Sequence, residues 1–175
     1  CLRRPEGGFF FFFKVTQKWV PTDREYLMKV VAARHSEWPM FAKLVRVLKR
    51  WNSDNGGLMK SLFVELLALE HLDGNDRPRA LSQFFTATAA SVQEPLFDPA
   101  GLCGEVQPDL DRDAAEIKLR EAAELAWLAV HLAGSGKGAS AMLKWREIFG
   151  DIYPEPPGGS SSAAAGAAAV IAAVP

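Results

Sequence analysis

FAKLVRVLKRWNSDNGGLMKSLFVELLALEHL, residues 41–72, is the stretch that decides the fold. In its first half Phe41, Leu44, Val45, Leu48 and Trp51 recur at helical spacing and line one side of a helix. Lys43, Arg46, Lys49 and Arg50 fill the other side. Pro39 predicts the start, because a first-turn residue needs no N–H donor. Asn55-Gly56-Gly57 predicts the stop. The second half, Leu58 to Leu72, is apolar nearly all round, with Lys60, Ser61, Glu65, Glu70 and His71 as its polar exceptions. A helix of that kind is expected at the centre of a fold. A short Gly-Gly turn between the two predicts an antiparallel pair.

Working toward the N-terminus, Thr22 and Glu25 have the spacing of a capping box, so a helix is expected from Thr22 with Tyr26, Leu27, Val30 and Val31 on one face. Before it, Phe9 to Val15, the polar residues Lys14 to Lys18, and Trp19-Val20 read as a β-hairpin ended by Pro21. Toward the C-terminus a helix is predicted from Pro78 to Gln93, with Leu81, Phe84, Phe85, Thr88 and Val92 on one face. Glu94 to Asp111 carries Pro95, Pro99, Gly101, Gly104 and Pro108 and reads as a long ordered surface loop. A helix over Asp113–Ala133 has a charged first half, expected to be wet, and an apolar second half, expected to be buried. A last helix over Ala139–Phe149 turns Met142, Trp145 and Phe149 inward. Pro154, Pro156 and Pro157 end the domain, and the Gly-Ser-Ala-rich remainder has too little apolar bulk to pack, so disorder is expected there. The reading is a mainly α protein: a helical bundle of about six helices with a short N-terminal β-hairpin, divided into residues 1–21 (hairpin), 22–153 (helical domain) and 154–175 (low-complexity tail).

Bulk composition narrows the function. The 175 residues hold 20 Lys plus Arg against 21 Asp plus Glu, a formal charge of −1, which excludes a strongly basic nucleic-acid binder on overall charge. Nucleic acid is therefore not an expected partner. Two cysteines, Cys1 and Cys103, make no disulfide framework, and a reducing, cytoplasmic setting is expected. The Phe9–Phe13 run is far shorter than the roughly 18 apolar residues that cross a bilayer, so no membrane partner is expected. The chain begins with Cys1 rather than methionine, as a fragment would.

Most motif-like stretches reduce to plain structure. Gly134-Ser-Gly-Lys-Gly138 lacks the upstream glycine and the Ser or Thr after the lysine that a phosphate loop needs, and it follows a helix. Asp109, Asp111 and Asp113 imitate the start of a calcium loop, but Ala114 and Arg120 stand where its glycine and glutamate belong, so Asp111 or Asp113 reads as an N-cap. His35, His71 and His131 are scattered, no zinc spacing exists, and no catalytic constellation emerges. One cluster remains: Lys49 closes one helix of the decisive stretch while Lys60 and Ser61 open the next. A lysine, a hydroxyl and first-turn N–H groups suit a polyphosphate; a solvated basic face is the other reading of the same residues.

Leu44-Val-Arg-Val-Leu-Lys-Arg-Trp51 followed by Leu58-Met-Lys-Ser-Leu-Phe-Val-Glu-Leu-Leu67 resembles the helical half of the bacterial cyclic oligonucleotide synthases, the CD-NTases of SMODS type. These resemble animal cyclic GMP-AMP synthase and oligoadenylate synthetase. Arg3 to Gly8 with Trp19 to Asp23, Phe97 to Leu102, and Trp145 to Gly150 resemble flanking motifs of the family in the same order. The resemblance covers about residues 2–153. It implies the C-terminal helical portion of a nucleotidyltransferase that condenses nucleoside triphosphates of the ATP/GTP class into cyclic or linear second messengers in antiviral defence. It implies magnesium held by carboxylates of an N-terminal catalytic domain that this chain lacks, so catalytic and metal-binding residues are expected to be absent and the chain alone to be inactive. By position, Lys49 and Ser61 match residues that contact the triphosphate. Leu62 matches a position that is often aromatic and stacks on the base; here the aromatic residue is Phe63. The alternative function is a free-standing helical module that binds a protein or RNA partner without catalysis.

The run Phe9–Phe13 is aromatic and β-prone, and such a run drives association when no partner covers it. Light scattering on the purified chain at high micromolar concentration should give a mass that rises with concentration; a constant monomer mass would contradict it.

Overall fold

The computed structural model describes residues 24–74, 76–98 and 104–157, with backbone alone for residues 24–28 and for the short extended stretches 2–3, 9–13 and 18–22. Six helices follow one another: α1 (Arg24–Glu37), α2 (Phe41–Asp54), α3 (Ser61–His71), α4 (Arg77–Ser91), α5 (Arg112–Gly134) and α6 (Gly138–Phe149), closed by one 3₁₀ turn, Gly150–Ile152. The fold is mainly helical, as expected. The backbone of Phe9–Phe13 and Lys18–Thr22 is extended, but residues 14–17, which would reverse the chain, and every side chain before Lys29 lie outside the described residues. The expected hairpin is therefore not carried forward as part of the fold, and the Thr22–Glu25 capping box falls outside the described residues too. So does the tail from residue 158 onward. No helix among the described residues is long and apolar enough to cross a membrane.

The apolar stripe of α2 behaves as its spacing predicts: Phe41, Leu44, Val45, Leu48 and Trp51 are all buried. The next boundary moves. The third helix begins at Ser61 rather than Leu58, so the α2–α3 connection runs from Asn55 to Lys60. Asn55 ends α2, the Gly57 N–H returns to the Asn52 carbonyl at 2.7 Å, and Gly56 and Gly57 take positive φ, the pattern of a Schellman stop. Residues 58–60 then form an irregular connector, bent at Met59 and extended at Lys60, before α3. They are held by two side-chain amides. Asn52 donates from Nδ2 to the Met59 carbonyl (2.8 Å) and accepts from the Met59 N–H at Oδ1 (3.1 Å). Gln107, from the distant loop, donates to the Leu58 carbonyl (2.7 Å) and accepts from the Lys60 N–H (2.6 Å). Backbone groups on both sides of the segment are thus paired without a neighbouring strand.

The core joins all six helices. Phe85 of α4 is fully buried and meets Trp51 of α2 edge-on at 4.9 Å, Phe84 at 5.6 Å and Phe149 of α6 at 6.2 Å. Trp145 stacks between Phe149 and Tyr153. Helix α5, rather than α3, has the most extensive packing, along both α4 and α6. Its buried stripe is Ala115, Leu119, Ala122, Ala126 and Ala129. This corrects the expected split of that helix into a wet front and a buried back: both halves bury one narrow face. Small alanines let neighbouring helices approach, while Trp127 in the apolar half points outward, 62% exposed and stacked on His131. Its start is as expected, with Asp111 accepting from the Ala114 N–H at 3.0 Å as N-cap.

The loop after α4 does more than cross the surface. Phe97 pairs with Glu105, Val106, Gln107 and Leu110 are buried, and Arg112 donates to the carbonyls of Val92 and Glu94 and to Glu105. The buried glutamine takes a φ of 56°, outside the comfortable range for a residue with a side chain. That backbone is kept because its amide closes two backbone bonds elsewhere. Helix α1 is held at its end, where Arg34 donates to the Leu72 carbonyl and to Asp73.

Asn52→Ala would leave both backbone groups of buried Met59 without partners. Each such orphan costs about 1–3 kcal/mol, so a loss of about 2–6 kcal/mol is expected in chemical denaturation with the slope unchanged. A change below about 0.5 kcal/mol, the scale of ordinary surface substitutions, would show that water replaces the amide.

Candidate functional site

The basic side of α2 meets α3 through one residue. Lys49 reaches across and pairs with Glu65 Oε1 of α3, both side chains about one third exposed, at 31% and 28%. Ser61 opens α3 four residues before Glu65, so hydroxyl and carboxylate share a helix face. Ser61 is exposed. Lys49 thus meets α3 at Glu65, one turn after Ser61. The connection that achieves this is the clamped segment 55–60 and not a two-glycine turn.

The remaining cations of the cluster divide. Arg50 pairs with Asp54 on its own helix and is well exposed. Arg46 is exposed and Lys43 half-buried. Lys60 precedes α3 and reaches Asp109 at 2.9 Å. Hydrogen bonding from the Lys60 ammonium, aided by their Coulomb attraction and opposed by slight burial, holds the Asp109 carboxyl below its ordinary 3.8. The side chain of Lys60, the N-cap residue of α3, makes no cap hydrogen bond, and the Lys60 N–H goes to Gln107 Oε1; the first-turn N–H groups lie at the same helix end as Ser61.

Leu62 is half-buried and packs against the core. Phe63, the aromatic residue beside it, is fully buried. It is a core side chain and cannot stack on a base, because α3 turns it a full 100° away from Leu62, toward α2 and α4. The small cleft lined by Phe63, Leu67, Glu70, Ser91, Val92, Glu94, Pro95 and Leu96 draws on that other side of α3 and is not part of the Lys49 face. Near it His71 Nε2 meets Ser91 Oγ at 2.9 Å. Glu70 approaches the same Nε2, at 4.0 Å, rather than the opposite ring nitrogen, so the orienting geometry of a catalytic triad is missing.

Sequence reading named Lys49, Ser61 and Leu62 but passed over Glu65, Asn52 and Gln107. Glu65 could have been found: it lies one turn from Ser61 on the polar strip of an otherwise apolar helix. Gln107 carried no local signal. Among the described residues no three His, Cys, Asp or Glu side chains converge, and no step is assigned to magnesium.

No protein-family model matches the chain. It is similar to a Bacillus cereus (strain VD146) protein named "Probable cyclic nucleotide synthase", 26% identical over 118 residues, which is 63% of this chain and 35% of that protein. The chain thus spans about a third of the length of the curated relative it matches.

The pairing of Asp109 with Lys60 has a pH signature. A depressed carboxylate favours the folded state above its ordinary value of 3.8, and that contribution fades as pH falls through the lowered value. The pair is exposed, so its effect on stability is small and is best read directly. In a ¹³C carboxyl titration Asp109 should titrate below 3.8, and Lys60→Met should move it upward; an unmoved midpoint would mean that the two side chains do not pair in solution.

Proposed function

We propose that this chain is the helical lobe of a nucleotidyltransferase that joins nucleoside triphosphates of the ATP/GTP class into cyclic or linear oligonucleotide messengers. Support comes from its similarity to a protein named as a cyclic nucleotide synthase, from the mainly helical fold, and from the family resemblance of the α2–α3 stretch. The observation that carries the reading is the pairing of Lys49 with Glu65, one turn after Ser61 on α3. In this reading Lys49 supplies a point charge to the triphosphate, Ser61 a hydroxyl donor, and the start of α3 its first-turn N–H groups and positive dipole end. Leu62, aliphatic and half-buried, offers the base a weaker surface than an aromatic side chain would.

The rest of the enzyme belongs to the same proposal. Magnesium and the carboxylates that hold it are assigned to a catalytic domain outside the stretch that aligns here. The N-terminal segment, with Phe9–Phe13, is assigned to the seam with that domain, and the whole to a cytoplasmic role in antiviral signalling. In such an enzyme the helical lobe orients the triphosphate, and the chemistry falls to the partner domain.

Hydrogen bonds to charged groups are worth about 1.5–3 kcal/mol each, and 1.4 kcal/mol is tenfold in affinity. By calorimetric titration of the chain joined to its catalytic domain, Lys49→Ala should therefore weaken nucleoside triphosphate binding by about tenfold or more. Arg50→Ala, whose partner is on its own helix, should change it by less than about twofold. Equal effects from the two, or none from Lys49→Ala, would reduce the cluster to a solvated basic face.

A further inference from the structure

Lys49 does not stand alone above α3. Its ammonium is engaged by Glu65, and that ion pair joins two helices, whereas the neighbouring Arg50–Asp54 pair lies within one. The cross-helix pair fixes the ammonium relative to the first turn of α3 rather than to its own backbone. An ammonium has three N–H donors and one carboxylate oxygen occupies one of them, so donors remain for an incoming anion. A lysine stem has many rotamers, and an anion that captures a wandering ammonium must meet the cost of ordering it. Glu65 meets that cost before any ligand arrives.

We infer that Glu65 is a positioning residue: its carboxylate holds the Lys49 ammonium on the Ser61 face of α3, prepared for the triphosphate of the proposed function, on which this inference rests. Glu65 brings its own negative charge near the anion, and that charge opposes binding. Its net effect is favourable only if order outweighs repulsion. Replacing it with a neutral acceptor separates the two effects. Glu65→Gln keeps an oxygen for Lys49 and removes the repulsion. Glu65→Ala removes both.

The test is titration of inorganic tripolyphosphate into the 175-residue chain, by calorimetry, together with NMR of the Lys49 side chain. Without ligand, the Lys49 ε-methylene should lose order in Glu65→Ala and keep it in Glu65→Gln. With ligand, Glu65→Ala should bind about three- to tenfold more weakly, the scale set by lysine rotamer entropy. Glu65→Gln should bind as well as the parent chain or better. In a Lys49→Ala background, where no ammonium is left to order, Glu65→Ala should not weaken binding, and loss of its charge should leave it equal or stronger. Binding by Glu65→Ala that equals or exceeds the parent would overturn the inference and make Glu65 a competitor of the anion. Equal weakening with and without Lys49 would make it merely structural. If the parent chain binds no tripolyphosphate, the phosphate-holding role given to Lys49 and Ser61 falls and takes this inference with it. If Lys49→Ala weakens binding and Glu65→Ala does not, this inference alone falls. Glu65→Gln, nearly isosteric, decides the role of the oxygen even if Glu65→Ala folds poorly.

Discussion

Three connector residues, Leu58, Met59 and Lys60, carry the geometry on which the candidate site depends. A connector outside helix and sheet leaves its backbone groups without ladder partners, and each needs one once it is taken from water. Asn52 serves the two groups of Met59, and Gln107 serves the Leu58 carbonyl and the Lys60 N–H. One amide comes from the last turn of the preceding helix and the other from a loop 47 positions on. Between them they set where α3 begins and how it faces α2. The unusual φ of Gln107 fits this role, since a strained backbone persists only where surrounding bonds over-determine it.

The apolar interior makes that arrangement rigid. Phe85 touches aromatic rings from α2 and α6 and so couples three helices through one side chain. Truncating a buried phenylalanine costs about 3–5 kcal/mol, more than any single surface pair in the molecule contributes. Helix α5 works by the opposite means. Its alanine stripe offers little bulk and instead admits close neighbours, which is why a 23-residue helix with an apolar second half can leave Trp127 outside.

On this frame the charges sort by what they join. Arg50–Asp54 and Lys144–Glu147 lie within single helices, and exposed pairs of that kind are worth a few tenths of a kcal/mol. Arg34–Asp73, Lys60–Asp109 and Lys49–Glu65 tie separate elements together. Of these three, the last has both partners less than a third exposed, which leaves it least screened by solvent.

The order of the six helices and the inward face of α2, α4 and α6 followed from the sequence alone, because helical periodicity and the Pro and Gly breakers are local signals. Lys49 and Ser61 were legible as candidates for the same reason: each sits beside a helix end that the sequence marks. The start of α3 was not legible, since Leu58 and Met59 continue the apolar pattern and only the amides of Asn52 and Gln107 draw them out of the helix. The exposed Trp127 was also beyond reach, because hydropathy reports how apolar a residue is and not whether a neighbour comes to cover it. Nor could the sequence pair Lys49 with Glu65. The sequence by itself determined which segments coil and which of their faces are oily. Tertiary structure alone decided which charges meet, because residues 16 positions apart become neighbours only after the chain has turned and packed.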